Sequence, residues 1–188
     1  PPSTPPLPPL PPLSPGYVAA ESEDQLRNLI EEPTSADVSV YLPPSAHFKL
    51  SSQISCTSTI KVTVASSGEG ATLDGKRETG LFYLSGGCSL TLRGLTLVNG
   101  RSAGSGGVVE ARNAGDVEII DSDVRDCSAT YNGGVVYASN SGAVSIIGSD
   151  VSDCSADAGG VVYAYYSGAV SITGSNVTSC SAGNNGGV

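Results

Sequence analysis

The chain has no tryptophan, no methionine, two phenylalanines and one histidine among its 188 residues. Cores between packed helices are filled by large side chains, so this shortage argues against a helical bundle. Basic residues are scarce too. Nine Lys and Arg face 18 Asp and Glu, a formal net charge of -9. Nucleic acids and anionic membrane surfaces are held by basic patches, so neither is an expected partner. No apolar run approaches the roughly 20 residues a membrane helix needs. Five cysteines are an odd number, and too few for a small disulfide scaffold. Present instead are 24 glycines with many Ser, Ala and Val. Such small side chains fill a narrow space between closely spaced strands.

Residues 1–16 read as a proline-rich linker. Nine prolines fall in the first 15 residues, and Leu7, Leu10 and Leu13 would line one edge of a polyproline II helix. A stiff spacer is the expected role, because the first basic residue is Arg27. Residues 17–35 form a lead-in with a short capping helix over 21–30. There Ser22 and Gln25 fit a capping box, and Leu26, Leu29 and Ile30 share a face. Strand signals take over from Val38.

Residues 36–188 form the repeat domain. Glycine pairs open successive units at Gly106, Gly133, Gly159 and Gly186, at intervals of 27, 26 and 27. The second unit reads "GGVVYASNSGAVSIIGSDVSDCSADA" and divides into "VVYA", "AVSII" and "SDVSD". Three short strands cannot close a domain alone. Stacked in register, roughly 4.8 Å apart, they coil into a right-handed, single-stranded parallel β-helix of about 26–27 residues and three strands per turn. The fold class is therefore all-β, a solenoid closed at its first turn by the helix. The repeats break off mid-unit at Val188, and the domain is expected to be truncated there. Facing follows from comparing units. Glu110 stands where Tyr137 and Tyr163 stand, so this column points outward, while Val136, Ala138, Val144 and Ile146 point in.

The units "GGVVYA" and "VSDC" resemble the repeats of the chlamydial polymorphic outer membrane proteins, GGA(I/V) followed by FxxN. Val124, Val151 and Val177 take the Phe place, and Cys127, Cys154 and Cys180 take the Asn place. The stretch "GATLDG…CSLTLRGLTLVNG" is similar to the first turns of pectate-lyase-like β-helix proteins. This resemblance spans about residues 36–188. It implies the β-helix fold and a superfamily in which sheet faces often bind polysaccharide.

Cys127, Cys154 and Cys180 recur once per turn and are expected to form a buried structural ladder. An occasional disulfide and metal or redox chemistry are the alternatives; metal binding would need ligands converging on one point. Asp123, Asp126, Asp150 and Asp153 are weak calcium candidates against a solvated acidic edge. Tyr83, Tyr137, Tyr163, Tyr165 and Tyr166 could form a glycan-stacking face, or could simply stack on one another. Arg112, Asp116 and Glu118 are the single mixed-charge cluster, and no second turn supplies the partner carboxylates of a glycosidase. Asn176-Val177-Thr178 is a glycosylation sequon. No catalytic residue, cofactor or metal is assigned. The expected role is a non-catalytic structural or adhesive repeat domain, extracellular or at the cell surface, presenting an acidic face to polysaccharide or surface proteins. The competing class is a polysaccharide lyase or glycoside hydrolase with its catalytic turns elsewhere.

Overall fold

A computed structural model describes residues 16–186, and the proline-rich segment falls almost wholly outside them. Residues 36–186 wind into a parallel β-solenoid. One sheet stacks Tyr17–Ala19, Asp37–Tyr41, Lys61–Ala65, Ser89–Arg93, Val117–Ile120, Val144–Ile147 and Val170–Thr173. A six-stranded sheet runs from His47–Lys49 to Asn176–Thr178, and a five-stranded sheet from Ile54–Cys56 to Val162–Tyr165. The later turns add a fourth strand to the three read from the repeat. Arg101–Ser102, Ser128–Ala129, Ser155–Ala158 and Ser181–Asn185 form a four-stranded sheet. Their Ser- and Ala-rich sequences carry no apolar alternation, which is why they read as turn. The leading strand Tyr17–Ala19 is also too short to stand out in sequence.

Identical repeat positions pair. Val109, Val136 and Val162 are in register, as are Ile119, Ile146 and Ile172. Val136, Ala138, Val144 and Ile146 lie inside the coil, fully or almost fully buried. Towards the first turns the core residues grow, with Phe82, Leu84, Leu90 and Leu92 stacked beneath the Val, Ala and Ile columns.

Four corners per turn take left-handed backbone. Gly106, Gly133, Gly159 and Gly186 hold one corner, Gly94, Asp121, Gly148 and Gly174 a second, Asn99, Asp126, Asp153 and Ser179 a third, and Asn113, Asn140 and Tyr166 a fourth. Glycine, Asn and Asp tolerate this region best, so the period of these residue types records the corners.

The helix α1 spans Glu23–Glu31. Ser22 caps it, accepting the Gln25 N–H at 3.3 Å, while the Gln25 side chain accepts the Glu21 N–H at 2.8 Å. The reciprocal bond therefore lands one residue ahead of a standard capping box. Leu26 and Ile30 are buried on the first turn. The polar side of α1 meets the chain at Ser51 to Ser55, where the five-stranded sheet begins. Arg27 donates to the Ser52 and Gln53 carbonyls, both at 2.9 Å, and to Glu23 and Glu31. Glu23 accepts the Ser51 N–H and hydroxyl, and Glu31 accepts the Ser55 N–H at 3.0 Å. Side chains thus take the place of a missing neighbouring strand and block edge pairing. Burial alone would raise the Glu23 carboxyl, but its bonds from Arg27 and Ser51 outweigh that and hold it below the usual range. Arg27→Ala strands both carbonyls and leaves the two carboxylates without their cation, held only by Ser51 and Ser55. A loss of about 2 kcal/mol is expected, read from the urea unfolding midpoint.

Candidate functional site

The repeat brings three groups of notable side chains into columns, beginning with the cysteines. Cys127 and Cys154 are fully buried and Cys180 is partly buried, on successive turns, all three as free thiols. Each thiol donates to the carbonyl two residues before it: Arg125 at 3.3 Å, Ser152 at 3.2 Å and Thr178 at 3.4 Å. Serines at two other corners use the same local bond. Ser149 and Ser175 donate to the Ile147 and Thr173 carbonyls, and Ser141 and Ser167 to those of Ser139 and Tyr165. Those serines also accept from the turn before: Ser149 Oγ takes the Ser122 N–H, and Ser175 Oγ the Ser149 N–H, both at 3.1 Å. These serine ladders went unread in the sequence because serine there looked like generic turn composition. They satisfy backbone groups where strand pairing stops.

The Cys127 thiol beside it and burial push the Cys154 thiol far above its ordinary range; burial first, and then Cys154, raise Cys180 less. The thiolate is the nucleophile, so reactivity falls with both effects. Under native conditions Ellman's reagent is expected to modify Cys180 first, with Cys127 and Cys154 reacting only on unfolding. Rapid release of three equivalents would contradict this.

Cys56 and Cys88 form a disulfide, with Cα atoms 6.1 Å apart and both residues buried. It ties the first strand of the five-stranded sheet to the next turn of the coil, at the corner directly before Ser89–Arg93 of the seven-stranded sheet. The repeat is degenerate in this region, so no column marked the two cysteines as neighbours.

The acidic candidates stay dispersed. Asp123 and Asp150 are register partners on the outer face of the six-stranded sheet, whereas Asp126 and Asp153 occupy left-handed corners. Asp123 pairs with Arg125 at 3.1 Å and Asp126 with Arg77 at 3.0 Å. Among the described residues no three His, Cys, Asp or Glu side chains converge as a metal site would require.

The tyrosines divide. Tyr137 and Tyr163 are register partners with nearly parallel rings, centroids 6.0 Å apart. The Arg112 guanidinium lies 4.8 Å from the Tyr137 centroid, on the side of the preceding strand. Both faces of Tyr137 are therefore taken, and it is 9% exposed. Tyr83 is separated from it by Glu110, which binds Arg112. That leaves Tyr163, Tyr165 and Tyr166. Tyr165 and Tyr166 meet edge to face at 4.3 Å and are 51% and 78% exposed. Tyr166 adopts a left-handed backbone, φ 49°, at the corner that Asn113 and Asn140 hold in earlier turns. A bulky residue there is strained by about 1–3 kcal/mol.

Arg112 is not grouped with Asp116 and Glu118, since it belongs to the five-stranded sheet. Those two carboxylates instead line a cleft of about 200 Å3 on the seven-stranded sheet, with Lys61, Ser89 and Thr91. Asp116 accepts the Ala143 N–H and Glu118 the Thr91 hydroxyl. Asn176 and Thr178 project from the outer face of the six-stranded sheet and are exposed. No described helix is long and apolar enough to cross a membrane. No family model, curated protein or solved structure gave a significant match to the chain.

Proposed function

We propose that this is a non-catalytic, structural or adhesive repeat domain of a secreted or cell-surface protein, whose solenoid holds out an extended acidic face to glycans or proteins. The observation that carries this reading is the pair Tyr165 and Tyr166. Two aromatic rings stand in solvent, and one is kept at a backbone cost where earlier turns use asparagine. Aromatic faces pack against the apolar faces of sugar rings, so Tyr163, Tyr165 and Tyr166 are the proposed contact, and Asn176 a proposed glycosylation site. The Cys56–Cys88 disulfide supports an oxidising compartment. The resemblance to polymorphic outer membrane and pectate-lyase-like repeats supports the same class.

The test is one substitution with two readouts. Tyr166→Asn, matching the earlier turns, is expected to raise stability by about 1 kcal/mol. In affinity electrophoresis through immobilised polysaccharides, the same change is expected to weaken retention. No retention of the parent protein by any polysaccharide or surface protein would overturn the reading.

A polysaccharide lyase or glycoside hydrolase is the second reading, favoured by the cleft holding Lys61, Asp116 and Glu118. It requires cleavage products from pectins or related polymers, and their absence on prolonged incubation would exclude this segment as the enzyme.

A further inference from the structure

A groove of about 310 Å3 follows the solenoid axis at the corner between the six-stranded and four-stranded sheets. Its base is the outward row Arg101, Ser128, Ser155, which are register partners on successive turns. Its wall is formed by the corner residues Asp126 and Asp153, and Arg77 reaches across from the earlier turns. Arg77 is pinned. Its Nε donates to Asn99 Oδ1 at 3.3 Å and its Nη2 to Asp126 Oδ1 at 3.0 Å.

Arg101 differs from every other arginine of the chain. Arg27, Arg77, Arg93, Arg112 and Arg125 each have a carboxylate within 4 Å, whereas Arg101 has none among the described residues. In a protein of net charge -9, an unpaired guanidinium beside a second, pinned one is the natural place for an anion. The groove is not basic throughout. Two arginines and two aspartates line it, and Asp153, with Ser155, stands one turn beyond Asp126.

We propose that this groove binds an oligosaccharide carrying a single carboxylate. The acid group is held by Arg101 with Arg77. The neighbouring uncharged sugar lies along the Ser128 and Ser155 hydroxyls, and Asp153 accepts from its hydroxyl groups. A polyuronate fits poorly, because its second carboxylate would be set against Asp153. This site is separate from the tyrosine face, which belongs to the five-stranded sheet.

Titration calorimetry with cellobiouronic acid, cellobiose and a tetragalacturonate tests the assignment. Cellobiouronic acid should bind at least about tenfold more tightly than cellobiose, the effect of a charge-assisted hydrogen bond. Arg101→Gln should remove that difference while leaving the melting temperature unchanged, since Arg101 is exposed and without a carboxylate partner. The double change Tyr165→Ala with Tyr166→Ala should leave it intact, which separates this site from the aromatic one. Equal affinity for acid and neutral disaccharides, undiminished acid binding by Arg101→Gln, or tighter binding of the tetragalacturonate would each overturn the proposal. So would no detectable binding of cellobiouronic acid.

Discussion

Replacing Gly134 with alanine is expected to destabilise the protein by about 3 kcal/mol or more, the upper end for overpacking. The reason is contact with backbone, which cannot swing away as a side chain can. A Cβ at Gly134 would collide with the Gly160 carbonyl oxygen and lie 2.9 Å from both the nitrogen and the oxygen of Ser155. Gly107 meets Gly134 in the same way, so the closeness repeats from turn to turn. The added methyl must push two turns apart, and the parallel pairing on either side resists. Gly148→Asn is the control. Gly148 has a positive φ of 58°, but Asp121 already holds that corner one turn earlier with φ 48°. The nearest atom to a Cβ at Gly148 is the mobile end of the Asp121 side chain. That change should stay within roughly 1 kcal/mol of the parent. Urea denaturation of both variants decides the matter, and equal midpoints would refute the backbone-contact account.

Removing the Cys56–Cys88 disulfide is the other large effect expected. The bond joins residues 32 apart in sequence. Releasing a loop of that length to the unfolded chain costs about 3–4 kcal/mol in the chain-entropy account. For a protein of this size the melting temperature should fall by roughly 10 °C. Cys56→Ser with Cys88→Ser also places hydroxyls in a buried site, so reduction of the parent protein is the cleaner comparison. The three remaining cysteines are already thiols, and a reductant leaves them unchanged. Melting in the presence and absence of reductant should therefore report this one bond. An unchanged melting temperature in fully reduced protein would show that the first turns hold without it.

The later turns were legible because the units repeat almost letter for letter. Comparing Glu110, Tyr137 and Tyr163 was enough to tell inside from outside. The four-stranded sheet stayed hidden because Ser128–Ala129 and its partners carry no alternation of apolar and polar residues. Cys56 and Cys88 lie where unit boundaries blur, so their closeness depends on a register that only the fold displays. Tyr137 looked available because its outward direction was readable, whereas the Arg112 covering it comes from the neighbouring turn. Arg77 and Arg101 were passed over for a related reason. They fall in unlike sequence contexts, and winding brings them to one groove.

The serine ladders give the coil a direction in time. Leu95 and Ser122 each donate a backbone N–H to a serine hydroxyl of the following turn, Ser122 and Ser149 respectively. A turn is therefore finished by its successor. During synthesis, the helix-closed end emerges first and each coil waits about 27 residues for the hydroxyl that completes it. Growth should proceed as a ratchet one coil behind the ribosome, and loss of structure should begin at the youngest coil and work back.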